Sequence, residues 1–279
     1  MQQRNAGEVT KRPSLLPAPA ARTTQRRRTA QTYCYLLDAD ADLADEFDLR
    51  MRVVARQVAT AEVVEIDPGP CELWAILGRS ADGPGLLILE GVMTADVRVI
   101  DRTATELVGA GDLLQPSIGI DDAMVVPETS WHALLPTRLA VLDGAFAERV
   151  RPWPQIGHAL LRRAERRAGS VGAQRAITCQ PRLDVRLDLL LWHYAGRWGR
   201  VEPGGIRLSL PLTHRLLGLL AGAERPSVTH ALARLAEAGL VTGPAAELHL
   251  HGTFDEHVAW FSEHDMGHHA PAFRQGAAG

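Results

Sequence analysis

The stretch of sequence that decides the fold covers residues 212–240 and reads LTHRLLGLLAGAERPSVTHALARLAEAGL. Thr213 can cap a short helix over residues 214–221, and Gly222 can end it, because glycine accepts the left-handed conformation that often follows a helix. A second helix is expected over residues 225–238, since a proline in its first turn costs no intrahelical hydrogen bond. Two short helices joined by a tight glycine turn form a helix-turn-helix.

Small and branched residues fit the inside of this motif. Gly218 lets the two helices approach closely, Gly222 forms the turn, and Val228 packs the second helix onto the first. The predicted buried face of the second helix consists of Val228, Ala231, Leu232 and Leu235.

The flanking segments complete a winged domain. Residues 206–210 alternate between apolar and polar side chains, which predicts a hairpin strand before the first helix. After the second helix, a Gly243-Pro244 turn separates residues 240–241 from the alternating residues 248–251. Hairpin, helix pair and wing together favour a winged helix-turn-helix over a generic helical bundle.

Length and composition are those of an ordinary protein with a substantial core. The chain has 279 residues, enough for one large domain or two average ones, and 46% are apolar and 23% charged. No window approaches the ~18 uninterrupted apolar residues of a membrane span, and the N-terminus lacks the apolar core of a secretory signal. We therefore expect a cytoplasmic protein with no membrane partner. Cys34, Cys71 and Cys179 are too widely spaced for a disulfide framework or a CxxC motif.

Charge is unevenly distributed along the chain. The formal net charge of −3 gives no overall sign of a nucleic-acid partner. Residues 1–30 hold seven basic side chains against one acidic side chain, with three prolines and no apolar period. This composition indicates a disordered basic leader, with a transit peptide or an accessory DNA arm as alternatives. Residues 38–48 carry six acidic side chains, which suit a solvated face or a helix start.

Residues 31–145 are predicted to form a β-domain. The β-rich runs fall at residues 63–66, 73–77, 86–89, 94–100, 106–108 and 131–142, between glycine-containing turns. Several short strands at this spacing favour an antiparallel barrel or sandwich. Long helices do not alternate with the runs, which argues against a Rossmann-type sheet.

Residues 146–180 are predicted to be helical. An apolar stripe at steps of three and four consists of Gly157, Leu160, Leu161, Ala164, Ala168 and Val171. The opposite face carries Arg162, Arg163, Arg166 and Arg167. The stripe packs either on the chain's own core or on a second subunit, and its place after a β-domain favours a dimer. A further helix after Pro181 would bury Leu183, Leu187, Leu190, Leu191 and Tyr194.

With this order of elements, the sequence resembles the Crp/Fnr family of bacterial transcription regulators over about residues 60–252. The strongest matches are LPLTH at 210–214, LLAGA at 219–223, RPSVTHAL at 225–232 and RLAEAGLV at 234–241. In the β-domain, LEGV at 89–92 and GAGDL at 109–113 look like turns of the family. The resemblance implies a homodimer that reads a near-palindromic operator in double-stranded DNA, with RNA polymerase as a further partner.

The resemblance also implies which residues contact DNA. A local basic face of Arg182, Arg200, Arg207, Arg215, Arg225 and Arg234 would compensate for the acidic balance of the chain. Arg225 could pair with guanine O6 and N7, which is worth about 1–3 kcal/mol of discrimination. The hydroxyls of Thr213, Ser227 and Thr229 suit phosphate or base contacts. The candidate DNA-binding residues are Thr213, His214, Arg225, Pro226, Ser227, Thr229, His230 and Arg234.

The sequence departs from the family at the start of the second helix. Many members have Arg-Glu-x-x-x-Arg there, whereas this chain has Pro226 at the glutamate position and His230 at the second arginine position. A proline ring offers no donor or acceptor, and histidine donates in a pH-dependent way. We therefore expect an operator that differs from the usual family site.

The β-domain lacks the family's signature for cyclic nucleotides. In members that bind them, a glycine-acid turn is followed by a glutamate and an arginine-serine pair. Here Gly111-Asp112 is followed by Asp121 and Asp122, and the sequence has no arginine between Arg102 and Arg138. Cys34 and Cys71 also do not form the cysteine cluster of the iron–sulfur sensors. We expect no cofactor and no cyclic nucleotide bound in the usual manner, and the effector is unknown.

Residues 256–279 are predicted to be a His-rich tail. Six histidines fall near or within it: His249, His251, His257, His264, His268 and His269. Such residues can ligate Zn²⁺ or Ni²⁺, but Gly267 interrupts the helical spacing, so a solvated tail without a metal is expected. The sequence contains no G-x-S-x-G, Walker A, H-E-x-x-H or strand-linked G-x-G-x-x-G motif, which argues against an enzyme.

The predicted fold class is α+β. An N-terminal antiparallel β-roll, like that of cyclic-nucleotide-binding domains, covers residues 31–145. A connecting and dimerisation helix covers residues 146–180, and a C-terminal winged helix-turn-helix covers residues 181–255. The predicted function is sequence-specific DNA binding in transcription regulation. The alternatives are a ligand-binding or protein-interaction module that uses the helix-turn-helix as a scaffold, and an enzyme on a cupin-like roll.

Overall fold

The computed structural model describes residues 32–115 and 124–264. The predicted leader, Asp121 and Asp122, and His268 and His269 lie outside these residues. Strands in the described part form three antiparallel sheets, and most of the helical structure follows residue 143. None of the described helices is long and apolar enough to span a membrane. The order of roll, long helix and winged domain confirms the predicted α+β class.

Two sheets form the roll. Their strands are β1 (Thr32–Tyr35), β2 (Thr60–Ile66), β3 (Gly69–Cys71), β4 (Gly85–Glu90), β5 (Val92–Val99), β6 (Arg102–Gly109), β7 (Leu113–Leu114), β8 (Glu128–Ala133) and β9 (Thr137–Leu142). One sheet has the order β1-β2-β9-β4-β7 and the other β3-β8-β5-β6. Every paired strand in them runs antiparallel.

Strand β4 shows why the roll needs both sheets and helices. Leu86 and Ile88 pack toward the second sheet, whereas Leu87 and Leu89 pack toward helices at both ends of the roll. Successive side chains of a strand point to opposite faces, so a strand that is apolar at every position must be covered on both sides. The roll core therefore has two layers, one between the sheets and one under the helices.

One predicted strand is a helix. The run at residues 73–77 lies in α4 (Trp74–Arg79), which follows directly from Leu73. Leu73 and Leu77 are the buried residues of this segment and Trp74 is half exposed. That spacing is one helical turn, and a short apolar run cannot distinguish a strand from a buried helical turn by its period.

The acidic stretch at residues 38–48 forms helix starts. It contributes to α1 (Leu36–Ala39), α2 (Ala41–Ala44) and the cap of α3 (Leu49–Val58). Asp40 accepts a hydrogen bond from the Leu43 backbone N–H, and Asp48 accepts bonds from two backbone N–H groups of α3. Carboxylates at these positions satisfy amides that have no partner within the helix.

Helix α6 (Pro154–Thr178), which follows α5 (Gly144–Val150), turns its arginines toward the roll. Arg163 is buried, with its guanidinium 2.6 Å from Asp40 and 2.9 Å from the Gly111 carbonyl oxygen. Arg167 binds Glu106 through two hydrogen bonds of 2.9 and 3.0 Å. The predicted apolar stripe is divided: Leu160 is buried in the chain's own core, whereas Leu161 and Val171 are 57% and 44% exposed.

The winged domain contains the remaining elements. They are α7 (Leu183–Trp198), β10 (Gly199–Glu202), β11 (Gly205–Leu208), α8 (His214–Ala221), α9 (Arg225–Glu237), β12 (Val241–Thr242), β13 (Leu248–His251) and α10 (Phe254–His264). Strands β10-β11-β13-β12 form the third sheet. The apolar face predicted for α7 lies in the core, since Leu187, Leu190, Leu191 and Tyr194 are buried.

The predicted tail is wrong for residues 256–264. These residues belong to α10, in which His257 and Phe261 are buried. The reason is chemical: His257 lies between the Asp188 carboxylate and the His251 carbonyl oxygen, each 2.7 Å from one ring nitrogen. A histidine count without this partner suggested solvation, whereas the side chain is part of the domain core.

Candidate functional site

The two helices of the motif begin and end on the residues that the sequence indicated. Thr213 Oγ1 accepts a hydrogen bond of 3.2 Å from the Leu216 backbone N–H and so caps α8. Gly222 has φ +64° and ends α8 in the left-handed conformation, while Pro226 lies in the first turn of α9. The turn is closed by a 2.8 Å hydrogen bond from the Ala223 N–H to the Gly218 carbonyl oxygen.

Gly218 and Val228 explain the close approach of α8 and α9. A Cβ atom at Gly218 would lie 2.5 Å from the Ala223 carbonyl oxygen, which is shorter than any tolerable contact. Val228 has no exposed surface and lies in the core together with Ala231 and Leu235. The buried side of α9 is thus fixed, and its opposite side is available to a partner.

The outward side of α9 carries most of the predicted contact residues. Arg225, Pro226, Ser227, Thr229 and His230 are all exposed. Each residue advances about 100° around a helix, so Pro226, Thr229 and His230 lie across from the buried side. Arg225 and Ser227 lie toward the two flanks of this outward face. Arg225 makes no ion pair with any described residue.

Arg234 is placed differently from Arg225. It follows Arg225 by about two and a half helical turns, so the two side chains leave opposite flanks of α9. Arg234 Nε lies 3.3 Å from Asp184 Oδ2 on α7, and Arg182 binds the same carboxylate. Burial opposes the charge of Asp184, but the Arg182 hydrogen bond, a backbone N–H and both arginines outweigh it and lower the Asp184 pKa. Arg234 therefore anchors α9 to α7.

The predicted basic face contains both occupied and available arginines. Besides Arg182 and Arg234, Arg207 is occupied, since it lies 2.8 Å from Glu202 and 3.6 Å from Glu247. Arg200, Arg215 and Arg225 are exposed and make no ion pair within the described residues. Local positive charge is consequently smaller than a count of six arginines suggests.

The N-terminus of α8 adjoins both α9 and the roll. His214 Nδ1 is 2.9 Å from the Thr229 hydroxyl, so these two predicted residues are in direct contact. Thr213 and Arg215 line a cavity of about 600 Å³ whose other walls include the roll residues Thr94 and His132. The first helix of the motif thus has one side chain against the second helix and two that face the roll.

Sequence reasoning missed two side chains that hold the end of α8. Gln174 Nε2 on α6 donates to the Thr105 carbonyl oxygen of β6 at 2.7 Å and to the Leu220 carbonyl oxygen at 3.3 Å. Arg186 on α7 donates to the Ala221 carbonyl oxygen at 2.8 Å. The last carbonyls of a helix lack intrahelical donors. The sequence predicts that these carbonyl groups need donors. It does not predict which side chains supply them, because the donors lie far away in the chain.

The glycine-acid turn of the roll is joined to the winged domain. Asp112 is buried, and its Oδ2 accepts a hydrogen bond of 2.8 Å from the Gly109 backbone N–H. The same oxygen lies 2.7 Å from the guanidinium of Arg197 on α7. Arg197 also donates to the Gly109 and Ala110 carbonyl oxygens. Among the described residues, no group of three His, Cys, Asp or Glu side chains is arranged to hold a metal ion.

Comparison with known protein families agrees with this geometry. A family model for a Crp-like helix-turn-helix domain matches residues 186–250. The chain contains a Crp-like helix-turn-helix domain. The matched residues begin in α7 and end in β13, so the Crp-like domain includes both helices of the motif and the wing. No curated protein sequence matches the chain.

Solved structures share the fold over most of the chain. A CooA mutant from Carboxydothermus hydrogenoformans is 15% identical with a TM-score of 0.54, covering 84% of this chain and 97% of that one. FixK2 from Bradyrhizobium japonicum is 14% identical with a TM-score of 0.53, and the match covers 71% of this chain and 96% of FixK2. A transcriptional regulator of the CRP family from Thermus thermophilus is 19% identical with a TM-score of 0.50, and the match covers 72% of this chain and 95% of that regulator. The resemblance to the Crp/Fnr family is thereby confirmed for the Crp-like domain and for the fold.

Proposed function

We propose that this protein is a sequence-specific DNA-binding transcription regulator of the Crp/Fnr type and not an enzyme. The observation that carries the proposal is the outward face of α9, exposed on a Crp-like domain with the unpaired Arg225 at its N-terminus. A helix presented in this way fits the DNA major groove, where its first residues contact base edges. His214, which contacts Thr229, and the exposed Ser227 lie at that end of the helix and suit phosphate contacts.

The exposed residues define an unusual reading surface. Arg225 is the donor for a guanine, and Pro226 presents an apolar ring that suits a thymine methyl group. His230 stands where many members of the family have an arginine, so an imidazole that can donate a hydrogen bond replaces a permanent cation. Arg234 contributes stability to α9 through Asp184 and is removed from the set of base-reading candidates.

The DNA-bound form is proposed to be a homodimer joined along α6. Arg163 and Arg167 of α6 bind carboxylates of the roll domain, whereas Leu161, Ala168 and Val171 remain exposed on another side of the helix. Leu161 and Val171 are large apolar side chains that a symmetric partner helix would remove from water. Two subunits related in this way would read the two halves of a near-palindromic operator.

The roll is proposed to be the sensor, for an effector other than a cyclic nucleotide bound in the usual way. Support comes from the sequence, which has no arginine between Arg102 and Arg138 to neutralise a cyclic phosphate. Asp112 and Arg197 offer a route from the roll to α7. Contact with RNA polymerase and a cytoplasmic location stay predictions.

DNA selection from a random pool, followed by anisotropy titrations against salt, tests the function. We expect log K to fall linearly with log[salt] and selected fragments to compete better than bulk DNA. Arg225→Ala should lose about 1–3 kcal/mol of preference between selected and bulk DNA while its Tm stays unchanged. The matched control is Arg50→Ala, an exposed arginine on α3 with no side-chain partner in the described structure. An equal preference for selected DNA in both variants would contradict the role of Arg225. If the wild-type protein binds no DNA, the alternative that the helix-turn-helix is only a scaffold would be favoured.

Light scattering after size exclusion tests the dimer. Leu161→Glu places a charge at the proposed seam and should shift the protein from dimer to monomer. Val201→Glu is the control, because Val201 is 81% exposed on β10 of the winged domain. A dimer that withstands the change at Leu161 would contradict the assignment of α6 as the interface.

A further inference from the structure

A cavity of about 580 Å³ lies where the roll, α6 and α7 meet. Its volume is in the range of pockets that hold small organic molecules. The wall from α6 includes Arg166, Ser170 and Ala173, which follow one another at steps of four and three and so share one face of the helix. The roll contributes Ala110 of the glycine-acid turn, and α7 contributes side chains between residues 193 and 198. The cavity therefore borders every element that joins the roll to the Crp-like domain along this side.

Arg166 supplies this cavity with a positive charge. Its guanidinium donates to the Gly111 carbonyl oxygen at 3.2 Å and makes no ion pair within the described residues. Among the described residues of the wall, the one acid is Asp42, which is 77% exposed and lies 3.8 Å from Arg163. A carboxylate of a ligand would therefore find in Arg166 a partner that no acid of the described structure occupies.

Ser170 and His193 provide uncharged polar groups next to this cation. The Ser170 hydroxyl is 2.9 Å from His193 Nε2, and Nδ1 of the same ring has no hydrogen bond in the described structure. Burial and the nearby charge of Arg197 lower the His193 pKa, so the ring is predominantly uncharged at neutral pH. A hydroxyl and a neutral imidazole each offer a donor and an acceptor. Together with Arg166, these groups suit the two oxygens of a carboxylate.

Part of the wall from α7 is aromatic. The ring centroids of Trp198 and Tyr194 are 5.8 Å apart, and Trp198 is only partly buried. The Arg197 guanidinium lies 4.6 Å from the centre of the Trp198 ring and is held by Asp112 at 2.7 Å. Side chains fixed in this way form a flat surface with little conformational freedom, against which a planar apolar group can stack.

The cavity lies on the side of α6 that faces away from the proposed dimer seam. Ser170 follows Leu161 by nine residues, and at about 100° per residue this places the two side chains on opposite sides of the helix. A partner helix packed along Leu161 would therefore leave the cavity open, and each subunit of the dimer would carry its own site.

We propose that this cavity is the effector site and that its ligand is a small aromatic carboxylic acid. The carboxylate binds Arg166 and the Ser170–His193 pair, and the ring lies against Trp198. The effector role rests on the proposed function, whereas binding of the acid does not. The ligand touches the roll, α6 and α7 at once, so it favours one position of α7, the helix in which the Crp-like domain begins. A ligand that favours one conformation shifts the population toward it, and DNA affinity changes accordingly.

Calorimetric titrations of the full-length protein with benzoate, cinnamate and 2-naphthoate, each compared with its neutral amide, test the site without DNA. We expect at least one acid to bind with a Kd below about 1 mM and its amide to bind about tenfold more weakly, because the hydrogen bonds to a charged group are lost. Arg166→Gln should weaken binding of the acid about tenfold and leave binding of the amide unchanged. Arg50→Gln, at an exposed arginine of α3 outside the cavity, is the matched control and should bind both compounds like the wild type.

A second variant tests the location of the site by filling it. Ala173→Phe places a ring inside the cavity and should abolish binding of both the acid and the amide while the Tm stays unchanged. With a selected duplex, the acid should change the Kd of the wild-type protein for DNA about fivefold or more, and should not change that of Ala173→Phe.

The possible outcomes separate the ligand site from the proposed function. If no acid binds, or if Arg166→Gln and Arg50→Gln bind it equally, the inference is overturned, and DNA binding by the same protein leaves the proposed function intact. An acid that binds as expected without changing DNA affinity would overturn the effector role. If the protein binds the acid but no DNA in either state, the proposed function and the effector role are both contradicted, and the ligand site is supported.

Discussion

Asp184 and Asp188 lie one turn apart on α7 and are both buried, yet their pKa values shift in opposite directions. The arginine partners of Asp184 hold its pKa below the ordinary range. For Asp188, burial raises the pKa, partly opposed by the hydrogen bond to His257, and its Oδ2 has no donor in the described structure. Burial acts on both carboxylates, so the partner decides the outcome.

The two carboxylates secure different parts of the Crp-like domain. Asp184 binds Arg234 and so holds α9 with charges that persist at every physiological pH. Asp188 binds His257, whose other nitrogen reaches the His251 carbonyl oxygen, so it holds α10 and the wing. The histidine attachment depends on a proton that it can lose. The domain therefore has one anchor under α9 that weakens only at acid pH and one anchor under the wing that weakens as pH rises.

The largest expected effect comes from breaking the Asp188 anchor. His257→Leu leaves a buried carboxylate without its cation, which should lower the free energy of unfolding by about 3–5 kcal/mol in urea titrations. Adding Asp188→Leu should recover much of that loss, because an apolar pair needs no compensation for buried charge. His158→Leu, at an exposed position of α6 where the described structure shows no partner, should change stability by less than about 0.5 kcal/mol. A His257 variant as stable as this control would mean that the pair is not the anchor.

The two anchors should make the stability of the protein depend on pH in opposite directions. Burial opposes the charge of His257, but its bonds to Asp188 and the His251 carbonyl oxygen outweigh this and raise its pKa above 6.5. Its contribution is therefore complete below pH 6.5 and is lost as pH rises through the folded-state pKa. The contribution of Asp184 is complete above its ordinary pKa of 3.8 and is lost as pH falls through its lowered value.

Urea titrations from acid to alkaline pH should thus show the free energy of unfolding falling on both sides. The double variant His257→Leu, Asp188→Leu should lose the alkaline decline and keep the acid one. Asp184→Asn should lose the acid decline that belongs to that residue. Identical profiles in all three proteins would show that the two carboxylates do not differ as their partners imply.

Local patterns in the sequence were sufficient to predict the helix-turn-helix. Thr213, Gly222 and Pro226 act through their own backbone conformation or through amides within one turn, so their roles follow from neighbouring residues alone. The strand period also predicted most of the roll. The strand predicted at residues 73–77 was wrong because five consecutive apolar residues fit both the strand period and the helix period. Only packing in three dimensions selects the helix.

Pairings between distant residues could not be predicted. Asp188 and His257 are 69 positions apart, and Arg234 and Asp184 are 50 positions apart. Counting charges placed Arg234 on the DNA surface and His257 in a solvated tail, since composition gives no information about which carboxylate each side chain meets. The contact between His214 and Thr229 was likewise invisible, although both residues were selected as DNA candidates.

The smallest expected effect comes from releasing the arginine anchor. Asp184→Asn keeps the shape of the side chain but removes the charge that holds Arg234, and should cost about 1 kcal/mol of stability. The freed guanidinium lies on the flank of α9, so it can reach a phosphate and make the salt slope of DNA binding steeper by up to about 0.9. Arg234→Ala in the same background should restore the original slope. An unchanged slope in Asp184→Asn would show that Arg234 remains out of reach of DNA even when released, and that its only role is structural.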